Sequence, residues 1–136
     1  MSVRQLRLVL ESADLDAAVA FYRDTLGLPE LESYDGDGGA RVVILGIESA
    51  TLELANSAQV EFIDAVEVGR PVAHPFPLRV RLAFEVDDAA EAAGTMAGGG
   101  ATIVAPPTRT PWDSLNVRAE GPDGLQLTAF QELGAG

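Results

Sequence analysis

Apolar and polar residues alternate through the first residues of the chain. Leu6, Leu8 and Leu10 fall on one side and Arg7, Val9 and Glu11 on the other. This alternation predicts a half-buried strand over residues 3–11. The period then changes. Leu15, Ala18, Val19, Tyr22 and Leu26 recur at helical spacing, which predicts an amphipathic helix. Asp14 is placed to cap it, Asp16 suits its first turn, and Gly27 suits its C-terminal stop. Pro29 closes the unit. Strands are predicted at Glu30–Tyr34, Ala40–Leu45 and Ala50–Ala55, the first two joined by the turn Asp35-Gly36-Asp37-Gly38-Gly39.

The second half repeats this plan. Arg79–Val86 reads as a strand and Asp87–Ala97 as a helix stopped by Gly98-Gly99-Gly100. Strands follow at Ala101–Val104, Leu115–Glu120 and Gly124–Gln131, with Gly121-Pro122-Asp123-Gly124 as a turn. The residues themselves echo. Arg7-Leu8-Val9-Leu10-Glu11 answers Arg81-Leu82-Ala83-Phe84-Glu85, and Leu52-Glu53-Leu54 answers Leu127-Thr128-Ala129. The offset is about 74 residues, which indicates two duplicated units rather than a solenoid. The expected organisation is one domain over 1–136. It contains a first βαβββ module at 1–55, a linker at 56–78, a second βαβββ module at 79–131 and a tail at 132–136. Pro71, Pro75 and Pro77 predict that the linker is an ordered loop, preceded by a short helical turn.

Composition removes several chemistries. The chain has no cysteine and no lysine, so thiol nucleophiles, thiolate metal sites and lysine Schiff bases are excluded. One histidine, His74, cannot build a two-histidine metal site within one chain. A net charge of −12 disfavours nucleic acid and anionic membranes as partners, since both need basic surface. The first residues lack the basic start and apolar stretch of a signal peptide, and no apolar run is long enough to span a bilayer, so a cytoplasmic location is expected.

Three segments and the overall plan resemble one known family. Asp14-Leu15 through Phe21-Tyr22 to Leu26-Gly27-Leu28 is similar to the first helix of vicinal oxygen chelate proteins, the superfamily of glyoxalase, bleomycin-resistance proteins and extradiol dioxygenases. Gly121-Pro122-Asp123-Gly124 resembles its final hairpin. Thr110-Pro111-Trp112 stands where many members carry Pro-Trp-Gly, and the duplicated plan is the family's own. The resemblance implies an α+β fold, with two paired βαβββ modules forming a curled mixed sheet around a cleft. It also implies a homodimer with an isologous interface.

In the metal-dependent members, ligands come from the first and last strands of each module. Carried onto this chain, those positions are Arg7, Glu53, Arg81 and Thr128. Only Glu53 is a competent ligand, because a guanidinium is cationic with no acceptor and a threonine hydroxyl is weak. No metal and no cofactor are expected. Strand alternation turns Arg7, Glu53, Arg81 and Thr128 away from the leucine-rich faces, so the resemblance places them together on the concave side. The residues expected to meet a ligand are Arg7, Val9, Glu53, Arg81, Ala83, Trp112, Thr128 and Phe130. The expected function is metal-free binding or sequestration of a small aromatic or antibiotic-like molecule. The alternatives are a metal-free lyase or isomerase with Glu53 as catalytic base, and a non-catalytic dimeric scaffold. Tyr22 is expected to pack the helix and Tyr34 to lie on the surface. His74, in a proline-rich loop, is left without a role.

Overall fold

The computed structural model describes residues 1–2, 4–73 and 80–134. The chain divides into two compact units, residues 1–77 and 78–136, and each is an α+β module built on a four-stranded mixed sheet.

In the first module β1 (Leu6–Glu11) leads into α1 (Leu15–Val19), then β2 (Glu30–Asp35), β3 (Arg41–Ile47) and β4 (Ala50–Ala55). The sheet order is β1-β4-β3-β2. β1 runs parallel to β4, and the other neighbours are antiparallel. The Asp14 carboxylate accepts from the Ala17 N–H at 3.0 Å, as expected of an N-cap. After Val19 the helix widens to a π-helical stretch, Ala20–Thr25, seen in the Leu26 N–H to Phe21 carbonyl bond of 2.9 Å. Gly27 then takes a φ of 79°, a left-handed conformation that costs glycine little. Leu15, Ala18, Val19 and Tyr22 are buried, together with Leu45, Leu52 and Leu54 from the sheet. Tyr34 is exposed. Leu6 departs from the leucine pattern, since it is 69% exposed although it shares a strand side with Leu8 and Leu10.

The linker was expected to hold only a helical turn, but it carries the 12-residue α2 (Ser57–Val68). Asn56 secures its start by accepting from the Gln59 N–H at 2.9 Å. The same side chain accepts from the Arg41 N–H and donates to the Gly39 carbonyl, fixing the helix to the β2–β3 turn. Val60 packs against the buried cluster Val42, Ile44 and Ala55.

The second module has β5 (Arg81–Glu85), α3 (Ala89–Gly98), β6 (Thr102–Arg109), β7 (Ser114–Glu120) and β8 (Gln126–Glu132). Its order, β5-β8-β7-β6, repeats the first, with β5 parallel to β8. Asp88 caps α3 by accepting from the Glu91 N–H at 3.0 Å. The helix packs on β6, β7 and β8. Ala89, Met96, Val117, Ala119, Leu127 and Ala129 are buried. Full burial of a leucine such as Leu127 contributes about 1.5–3 kcal/mol. β6 runs further than its expected end at Val104, continuing through Pro106 and Pro107. It is an edge strand with interrupted register, the setting in which proline's missing N–H is tolerated. Among the described residues no helix is long and apolar enough to cross a membrane.

Candidate functional site

Strand pairing puts the strand residues singled out by the sequence on one sheet face in each module, because residues directly opposite each other share a face. In the first module Arg7 stands opposite Thr51, Val9 opposite Glu53, and Glu53 opposite Ile44 of β3. In the second, Arg81 stands opposite Gln126, Ala83 opposite Thr128, and Thr128 opposite Arg118 of β7. Glu11 and Glu85 also correspond, facing Ala55 and Phe130. The two faces are therefore position-by-position counterparts with different chemistry.

On the first face the arginine is paired internally. Arg7 Nη1 donates to Glu53 Oε1 at 3.2 Å, and Arg7 Nε donates to Gln5 Oε1 at 3.1 Å. The Arg7 side chain is 58% exposed and that of Glu53 18%. Val9 is exposed. Thr51, beside Arg7, is buried, and its hydroxyl has no hydrogen-bond partner among the described residues.

The second face is cationic at its middle. Arg81 Nη1 donates to Thr128 Oγ1 at 2.7 Å, and Arg118 Nε donates to the same oxygen at 3.3 Å. Arg118 Nη1 also donates to Gln126 Oε1 at 2.9 Å. Thr128 is 3% exposed, so its hydroxyl lies under the two guanidinium groups and draws them together. The donor nitrogens are at most about 6 Å apart. Among the described residues neither arginine has a carboxylate partner within ion-pair distance, although Glu85 and Glu120 lie on the same sheet face. Arg81 and Arg118 line an open recess with Gln126, Val80, Gly124 and Leu125. Arg118 was not among the residues expected from the sequence. Alternation marks Arg118 as a polar residue between Val117 and Ala119, and only the strand register sets it opposite Thr128.

Trp112 is presented elsewhere on this module. It is 71% exposed at the β6–β7 turn, which is braced by an Arg109–Asp113 ion pair of 2.6 Å and by the Leu133 N–H donating to the Asp113 carbonyl at 2.9 Å. Asp113 holds a φ of 61° there. The turn adjoins the Glu132 end of β8, whereas the arginine recess adjoins the Gln126 end. Those ends of the strand are roughly 20 Å apart, so the structure does not bring Trp112 to Arg81 and Thr128. Phe130 lies between, half-buried, opposite Asn116. Ala83 is exposed beside Thr128. His74 lies outside the described residues.

The model of the Glyoxalase/Bleomycin resistance protein/Dioxygenase superfamily matches residues 4–128. The chain belongs to this superfamily. Solved structures agree with the fold. A superfamily protein from Nocardioides has a TM-score of 0.68 at 22% identity, over 100% of this chain and 87% of its own. TioX from Micromonospora sp. ML1 has a TM-score of 0.71 at 18% identity, covering 95% and 98%. A glyoxalase-related enzyme from Fulvimarina pelagi has a TM-score of 0.70 at 18% identity, covering 96% and 89%. No curated protein matches the chain in sequence.

The superfamily's metal-dependent members pose a direct question of fit. At the positions onto which the resemblance carries their ligands, the Glu53 carboxylate is held by Arg7 and the Thr128 hydroxyl accepts from two guanidinium groups. A hydroxyl oxygen has two acceptor lone pairs, and both are engaged here by cations. Among the described residues no three His, Cys, Asp or Glu side chains cluster as a metal site. This donor set does not fit a divalent cation, which needs several anionic or neutral donors free to turn toward it.

Proposed function

We propose that this superfamily member binds a small aromatic or antibiotic-like molecule without a divalent metal. The ligand would lie against the sheet face of the second module that carries Arg81, Arg118 and Gln126. The observation that carries this reading is the pair of guanidinium groups gathered on one buried hydroxyl beside an open recess. Holding two like charges this close is unfavourable, and a structural role would more economically place a carboxylate between them, as Glu53 does for Arg7. Apolar Val80 and Leu125 stand beside the polar pair, so the recess offers both kinds of contact to a small molecule.

A thermal-shift screen of aromatic metabolites and antibiotics tests the reading, because a ligand that binds only the native state raises its stability. Compounds that stabilise the wild type and lose their effect in Arg118→Ile support it. A screen with no stabilising compound contradicts it.

A further inference from the structure

The two modules differ at one functional level, and the difference names a ligand class. We propose that the second module takes a carboxylate-bearing planar molecule, its carboxylate received by Arg81 and Arg118. This deepens, and rests on, the reading of that face as a binding surface.

The first module supplies the template. Its first-strand arginine, Arg7, meets a carboxylate from its own last strand, Glu53, and the neighbouring β3 position is the apolar Ile44. In the second module each of these roles is recast. The arginine remains as Arg81, the carboxylate is replaced by Thr128, and the position of Ile44 becomes a second arginine, Arg118. One negative charge has been removed and one positive charge added at corresponding places. The chain as a whole carries a net charge of −12, so acidic side chains were plentiful as partners, yet none is paired with Arg81 or Arg118 among the described residues.

The geometry suits an incoming carboxylate. Thr128 binds one N–H of Arg81 and one of Arg118, and Gln126 binds another of Arg118. Each guanidinium has five N–H donors, so each keeps uncommitted donors at the recess. Planar forks of this kind match a carboxylate's two oxygens. Val80 and Leu125, which line the same recess, would take the hydrocarbon part. Thr128 is a positioning residue here: it is too buried to reach a ligand in the recess and instead fixes the two forks.

The test compares 2-naphthoate with its uncharged analogue 2-naphthamide by ligand-observed NMR titration. The proteins are wild type, Arg118→Ile, Arg118→Gln and Thr128→Glu, each first checked for native circular dichroism. Arg118→Ile restores the first module's residue, and Thr128→Glu restores its internal carboxylate. The naphthoate should bind the wild type at least about tenfold more tightly than the amide, the scale of a charged hydrogen bond. Each folded variant should lose at least about tenfold in naphthoate affinity with little change for the amide. Equal affinity of the two probes for the wild type overturns the carboxylate class while the small-molecule reading stands. Naphthoate binding that survives in every folded variant overturns the location. If neither probe binds but the thermal-shift screen yields an uncharged ligand, the carboxylate class alone is wrong. If the screen is also empty, both readings fall.

Discussion

Arg118 stands in the second module where Ile44 stands in the first: each faces the middle of the last strand, Ile44 opposite Glu53 and Arg118 opposite Thr128. Two copies of one backbone plan thus give their arginines different partners. In one copy the arginine is satisfied internally. In the other, two guanidinium groups share a neutral oxygen.

That oxygen should matter for stability. Thr128→Val keeps the shape of the side chain and removes the acceptor that Arg81 and Arg118 share. A loss of about 1–2 kcal/mol is expected in urea denaturation, because the two donors are left without their buried acceptor. A midpoint unchanged from the wild type would show that the hydroxyl does not organise the pair.

The Arg7–Glu53 pair should contribute much less. The Arg7 side chain is 58% exposed, so the pair is screened by solvent on that side although Glu53 is only 18% exposed. Glu53→Gln should cost less than about 1 kcal/mol, and salt should shrink the difference further. A larger, salt-insensitive loss in the same denaturation assay would mean that the pair is buried.

Asn56 is a stronger structural point than its loop position suggests. It caps α2 and also ties the helix to Arg41 and Gly39. Asn56→Ala should destabilise the protein by about 1–2 kcal/mol, read as a lowered thermal midpoint. An unchanged midpoint would detach α2 from the stability of the first module.

Much of this was legible beforehand. The Asp14 cap, the Gly27 stop and the Pro122-Asp123-Gly124 turn are local signals with local causes. Asp123 and Gly124 do take positive φ values of 61° and 72°. The repeat of Arg7 in Arg81 and of Leu52-Glu53-Leu54 in Leu127-Thr128-Ala129 correctly gave two counterpart faces. What escaped depends on packing. α2 was hidden because only part of its apolar surface is used: Val60 packs inward, while Phe62 and Val66 are 47% and 65% exposed, which blurs the helical period. Arg118 was missed because its meaning comes from the strand opposite. Only the register that sets it across from Thr128 separates it from an ordinary surface arginine.

Tyr34 offers a pH-dependent readout of the first module. Its phenol donates to Glu32 at 2.6 Å. That hydrogen bond, and then the charge of Glu32, raise its pKa above the usual value of about 10. The folded state therefore holds this proton longer than the unfolded chain. The contribution is full below the unfolded value and is lost as pH rises through the folded one. Glu32→Gln should move the ultraviolet phenolate titration of Tyr34 down toward the ordinary value. An identical titration in the variant would show that the contact does not persist in solution.

We further propose that the chain works as a homodimer, as the resemblance implied. Sedimentation at micromolar concentration should give the mass of two chains, and a monomer throughout that range would contradict the proposal.

We propose that arginine chemistry stands here at the superfamily's metal positions. Elemental analysis of the protein, after incubation with nickel, zinc, manganese and ferrous iron and removal of excess by gel filtration, tests it most directly. The protein should emerge without a stoichiometric metal. A tightly held ion at one per chain would contradict the account, because neither Arg7–Glu53 nor Arg81–Thr128–Arg118 could remain as described while holding it.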